Sequence, residues 1–162
     1  MRILARYVFY LAILISGSAA YGQSSNAGCT LVVKTAAIDG GLISYLEGGK
    51  GEPVLLLHGL FAQKEQWTEV ACALANTGFD VIVPDLPGYG ASTGFLVSDY
   101  PLESQVRILQ HLMNGKQVEK FHIAGSSMGA LLRLCMQKNT PIKFSHSLLL
   151  GRLWELFHGA RR

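Results

Sequence analysis

The stretch Phe121-His122-Ile123-Ala124-Gly125-Ser126-Ser127-Met128-Gly129-Ala130 decides the fold. An apolar run that reads as a strand, Phe121 to Ala124, ends in Gly-x-Ser-x-Gly. It then passes into a segment with Met128, Leu131, Leu132 and Cys135 at helical spacing. A serine on a sharp turn between strand and helix is the context that gives this motif chemical meaning. Gly125 and Gly129 have no Cβ, so strand and helix can approach closely around the turn. Such a turn strains the backbone of Ser127, exposes its hydroxyl, and leaves the N–H of Met128 at a helix N-terminus that favours developing negative charge.

Upstream of the turn the chain alternates. Leu31-Val32-Val33 and Leu42-Ile43-Ser44-Tyr45-Leu46 read as two strands around an Asp39-Gly40-Gly41 turn, a hairpin at a sheet edge. Glu47 to Glu52 reads as a glycine-rich turn. Val54-Leu55-Leu56-Leu57 is a continuous apolar run, the pattern of a strand covered on both faces, and it ends in His58-Gly59. A helix is predicted from about Gln66 to Thr77, with Trp67, Val70, Ala71 and Leu74 on one side and Gly78 at its end. Val81-Ile82-Val83 is the next buried strand, followed by the loop Pro84 to Ser92. Pro101 opens a helix to about Asn114, with Leu102, Val106, Leu109 and Met113 on one face and Gly115 closing it.

Downstream of the turn, Asn139-Thr140-Pro141 stops the following helix, and Ser147-Leu148-Leu149-Leu150 reads as one more buried strand. A hairpin followed by alternating strands and helices predicts an α/β fold with a mostly parallel sheet. In such sheets ligands bind at the carboxyl ends of the strands. Three chemically distinctive loops fall there: His58-Gly59-Leu60-Phe61, Asp85 to Ser92, and Gly125 to Gly129.

Composition bounds the rest. The 162 residues are enough for one domain with its own core, and 49% hydrophobic with 15% charged residues is a globular balance. The net charge of +3 falls to +1 without Arg2 and Arg6, and basic residues are not interleaved with aromatics, which argues against nucleic-acid binding. Cys29, Cys72 and Cys135 are too few and too scattered to suggest a disulfide framework or a zinc site; Cys72 and Cys135 read as small buried hydrophobes.

Residues 1–22 read as an export signal. Arg2 and Arg6 precede the apolar core Val8 to Ile15, and small residues from Ser16 to Gly22 follow, with cleavage after Ala20 or Gly22. The apolar run is short against the ~20 residues of a membrane span, so an uncleaved anchor over residues 8–20, with membrane association through it, is the alternative. Ala27-Gly28-Cys29 is similar to a lipoprotein cleavage site, but Asn26 stands where an aliphatic residue belongs. The predicted organisation is a signal over 1–22, a linker over 23–30, a partial domain over 31–150 and a divergent tail over 151–162.

Taken together, the segments Leu55 to Trp67, Val83 to Ser92 and Phe121 to Gly129 resemble the α/β-hydrolase superfamily, and within it the branch of monoacylglycerol lipases and bacterial lipases and esterases. The resemblance covers about Leu42 to Leu150. It implies Ser127 as nucleophile and the backbone N–H groups of Leu60 and Met128 as an oxyanion hole. His58, Gly59, Gly125 and Gly129 would support the motif, with His58 shaping the oxyanion loop rather than acting as base. Asp85 would be structural and Ser126 a bystander. Phe61 and Trp67 would line the acyl pocket or serve as core aromatics. The implied substrate is a small-molecule or lipid ester, with no metal or organic cofactor. Dehalogenases and epoxide hydrolases would need an aspartate at the position of Ser127.

A serine nucleophile also needs a base and an orienting acid, which this fold supplies after the serine in the order Asp or Glu, then His. The 35 residues after Ser127 hold no aspartate, one glutamate (Glu155) and two histidines, His146 and His158. His146 comes too early for the base, and Glu155 and His158 fall within one helical turn. The expectation is the first half of a hydrolase fold, truncated after the strand near 147–150 by a fragment boundary, a stop or a frameshift. Two functions follow from the sequence: a serine hydrolase of acyl esters, or a remnant or binding protein without a complete triad.

Overall fold

The computed structural model describes residues 28–139. The predicted export signal or anchor, the strand at 147–150 and the tail with Glu155 and His158 lie outside them.

Five strands form one sheet: β1 (Val32–Ile38), β2 (Gly41–Gly49), β3 (Glu52–Leu57), β4 (Phe79–Pro84) and β5 (His122–Gly125), in the order β1-β2-β4-β3-β5. The hairpin β1–β2 is antiparallel and β2 joins β4 antiparallel, whereas β4, β3 and β5 run parallel. The hairpin turns at Asp39-Gly40, and β1 is the edge strand, as the sequence predicts. The glycine-rich segment after Leu46 is not a turn throughout. Gly48 and Gly49 pair with Val81 and Asp80, so β2 continues to Gly49 and the turn shrinks to Lys50-Gly51. Pairing with a neighbouring strand overrides the weak strand preference of glycine.

Three helices cover the sheet: α1 (Thr68–Asn76), α2 (Leu102–Gly115) and α3 (Met128–Asn139). A short 3₁₀ turn, Lys64–Trp67, leads into α1, and Gly78 follows it at φ +92°. Side chains on alternate strand positions point to opposite faces. Val54, Leu56, Val81 and Val83 therefore meet Ala71 and Leu74 of α1 on one face. Leu55, Leu57, Ile82 and Ile123 meet Val106, Leu109 and Met113 of α2 and Leu132 and Met136 of α3 on the other. This is the double covering that continuous apolar strands require. Helix α2 runs through Gly115, close to the predicted end, but the left-handed position that closes it falls on Gln117, at φ +58° with its N–H on the Asn114 carbonyl. On α3, Met136 is buried while Leu131 is 53% exposed, so the buried stripe lies to one side of the predicted one.

The cysteine reading needs correction. Cys29 and Cys72 form a disulfide across 43 residues, with Cα atoms 5.4 Å apart, so Cys29 in the predicted linker is joined covalently to α1. Their distance in sequence hides the pair, because only packing of residues 29–31 beside α1 brings them together. Cys135 is a free thiol packed against the α2/α3 core. Among the described residues, no helix is long and apolar enough to cross a membrane, and no group of three or more His, Cys, Asp or Glu side chains could hold a metal ion.

Candidate active site

Strands β3 and β5 lie side by side, with Leu57 opposite Gly125 at their carboxyl ends. The helices that follow them pack on opposite faces, so the two loops leave the sheet in opposite directions and open a crevice, the usual ligand position in this architecture. The Ser126 N–H donates to the Leu57 carbonyl at 3.0 Å, which fixes the serine turn beside His58.

Ser127 sits on that turn with an exposed side chain and φ +50°. A non-glycine residue in the left-handed region carries backbone strain of about 1–3 kcal/mol and persists only where its surroundings enforce it. The enforcement is visible. A Cβ on Gly125 would overlap the Gly129 carbonyl, and one on Gly129 would overlap the carbonyls of Leu57 and His58. Strand, turn and helix are therefore in backbone contact. Gly59 closes the other side: a Cβ there would lie 3.3 Å from Ser127 Cβ and 3.3 Å from the Ser126 carbonyl oxygen.

The two backbone donors expected for this site lie on the adjoining turns. Met128 is the first residue of α3, and the first four N–H groups of a helix have no partner within it. Leu60 is the second residue of a turn closed by the Ala62 N–H on the Gly59 carbonyl at 3.3 Å. Phe61, the third residue, takes φ +59° and is 92% exposed, so it is not a core aromatic. Trp67 is partly buried and packs against the cluster that includes Leu46, Val54 and Leu56 on the α1 face.

His58 is fully buried, and both ring nitrogens are engaged. Nδ1–H donates to the Gly59 carbonyl at 2.8 Å, and Nε2 accepts the Leu86 N–H at 3.0 Å, which assigns the neutral tautomer. Burial pushes its pKa down, against weaker upward effects of Gly59 and Asp85. A neutral imidazole with both nitrogens occupied cannot take the proton of Ser127. Asp85 is also fully buried, and its carboxylate accepts three hydrogen bonds, two from Lys64 and one from the Ala91 N–H.

Two residues of this end escaped sequence reasoning. Lys64 is only 5% exposed, in a position where a loop lysine ordinarily faces water. Gln66 lends Oε1 to the Gly59 N–H at 3.1 Å. Lys64 also meets the neighbouring Glu65 at 3.0 Å, but its buried partner Asp85 lies 21 residues away, so no local pattern marks the burial. Among residues 128–139 there is no Asp, Glu or His, so the described residues after Ser127 supply no base.

Comparisons with known proteins agree with this geometry. The family described as "alpha/beta hydrolase fold" matches residues 52–154. Lipase 1 of Psychrobacter immobilis is 35% identical over 100 residues, 60% of this chain and 31% of the lipase. The (E)-2-((N-methylformamido)methylene)succinate hydrolase of Acinetobacter baylyi is 30% identical over 117 residues, 72% of this chain and 44% of that enzyme. A variant of an epoxide hydrolase from Vigna radiata superposes with a TM-score of 0.67 at 25% identity, covering 70% of this chain and 36% of its own. The chain thus spans less than half the length of these relatives.

Proposed function

We propose, from the premise that this chain belongs to the α/β-hydrolase family, that its site is that of a serine hydrolase acting on carboxylic esters, with acyl glycerols and other lipid esters as the substrate class. One observation carries the reading: Ser127 is exposed at φ +50° on a strand–helix turn whose glycines pack backbone against backbone. Ser127 Oγ attacks the ester carbonyl carbon while its proton passes to a base. The carbonyl oxygen becomes an oxyanion, received by the N–H groups of Leu60 and Met128. The C–O bond to the alcohol then breaks, the alcohol leaves with the proton, and an acyl-serine forms. Water reverses the sequence and releases the acid. Each such oxyanion donor is worth about 3–4 kcal/mol in the transition state.

The similarity to a lipase supports the ester substrate. Epoxide opening, the activity in the name of the structural neighbour, would by the family resemblance need an aspartate where Ser127 stands. The reading includes export: Arg2, Arg6 and the apolar run Val8 to Ile15 support a signal, and the Cys29–Cys72 disulfide suits an oxidising compartment.

A specific observation favours a second reading. No Asp, Glu or His follows Ser127 among the described residues, and this supports the alternative of a remnant or binding protein built on a hydrolase scaffold. Labelling with a fluorophosphonate separates the two. Labelling of folded wild type but not of Ser127→Ala supports the hydrolase. Folded wild type that stays unlabelled at millimolar probe rules it out.

A further inference from the structure

We propose that the buried Lys64–Asp85 pair is a positioning element that sets the loop His58 to Lys64, and with it the Leu60 N–H, against Ser127. The proposal rests on the reading of Leu60 as an oxyanion donor.

The loop leaves β3 at Leu57 and reaches the 3₁₀ turn at Lys64. Two consecutive residues of the loop after β4 grip both of its ends. Leu86 donates its N–H to the His58 ring, and Asp85 takes the backbone N–H of Lys64 on Oδ1 at 2.7 Å. The Lys64 ammonium meets Oδ2 of the same carboxylate at 2.8 Å, and the Ala91 N–H meets that oxygen at 2.8 Å. Gly90 has no Cβ where the carboxylate lies; a side chain there would occupy the carboxylate's place. Asp85 is itself anchored. Its N–H donates to the Ser44 carbonyl at 2.8 Å, its carbonyl accepts Ser92 Oγ–H at 2.8 Å, and Ser92 Oγ accepts the Ser44 N–H at 2.9 Å. The clamp is thereby tied to β2, two strands away from the loop it holds.

A fastening chosen for strength alone would not take this form. A buried ion pair contributes little net stability relative to apolar residues of similar volume, because desolvation offsets its attraction. What it supplies is direction. The carboxylate receives a backbone donor and the side-chain charge of the same residue, so Lys64 has one position that satisfies both. Leu60 is four residues back along a loop whose other end is held at His58, and a Cβ built on Gly59 would lie 3.3 Å from Ser127 Cβ.

The test uses the full chain and the double variant Lys64→Met/Asp85→Asn, which removes both charges and leaves an amide to accept one backbone N–H. Two readouts lie outside the pair: amide exchange at Gly59, bonded to Gln66, and at Ala62, bonded to the Gly59 carbonyl. The expected result is a double variant that melts close to wild type but exchanges both amides at least about tenfold faster. Its fluorophosphonate labelling of Ser127 should fall by about 10- to 100-fold. Unchanged exchange at Gly59 and Ala62 in the folded double variant overturns the proposal. If that variant does not fold, Lys64→Met alone is read by the same exchange criterion, with the same outcomes. If wild type does not label, the hydrolase reading fails, and amide exchange still decides the role of the pair.

Discussion

Ion pairs occur at two ends of this molecule, and they differ in what surrounds them. At the hairpin, Asp39 meets His111 at 2.9 Å and Arg107 at 3.6 Å, with both partners about half exposed. Glu47 of β2 pairs with Lys34 and Lys116 at the same edge. At the carboxyl ends of the parallel strands, Asp85 is fully buried and the Lys64 side chain 7% exposed. The groups are of the same kind, yet water screens the Asp39 pairs and not Lys64–Asp85, with Glu47, 12% exposed, in between. The hairpin pairs decorate elements that backbone pairing already specifies. The Lys64–Asp85 pair connects segments that no strand or helix holds together.

The comparison breaks if Asp85→Ala is mild. Removing Asp85 leaves the buried Lys64 charge with only the half-exposed Glu65, 3.0 Å away, and about 3 kcal/mol of stability should be lost in denaturant unfolding. Next in size, Cys72→Ser opens the link across 43 residues to Cys29 and should cost about 2–4 kcal/mol. That loss should be matched by treating wild type with reductant, since the same bond is broken. Gly129→Ala places a methyl on the carbonyls of Leu57 and His58, and should cost about 1–3 kcal/mol while abolishing any labelling of Ser127.

A smaller effect comes from His58. Its folded-state pKa lies below the ordinary value of 6.5, so the unfolded chain takes up the proton first as pH falls. Stability from this site is complete above about 6.5 and declines below it, towards the depressed folded pKa. Melting curves between pH 7.5 and 5 should show a steeper acid loss for wild type than for His58→Gln. Smallest of all, Asp39→Ala at the hairpin should change stability by under about 1 kcal/mol, and less at high salt. A large effect there would erase the distinction between the two ends.

Legibility in the sequence follows the same division. Strands β3, β4 and β5 announce themselves because apolar residues covered on both faces leave unbroken runs such as Val54 to Leu57. The serine turn is legible because glycine is needed where backbones touch, at Gly125 and Gly129. Less was visible where one segment's state depends on a distant one. Gly48-Gly49 reads as a turn until Val81 and Asp80 are set beside it. Gln117, not Gly115, takes the left-handed position after α2. Lys64 looks like any solvated lysine until Asp85 arrives from the next loop, and Cys29 looks idle until Cys72 is folded against it.

The disulfide has one more consequence, for the fate of a single sulfur atom. Cys29 follows Ala27-Gly28, a sequence similar to the point at which bacterial lipoproteins are cut and their cysteine is alkylated by a diacylglycerol. A divalent sulfur already bonded to its own Cβ has one remaining bond. Joined to Cys72, it is closed to thioether formation, so the cross-linked protein and a lipid-tailed one are mutually exclusive chemical species. They differ in intact mass by at least a diacylglyceryl group, and only the cross-linked protein gains two hydrogen atoms on treatment with reductant.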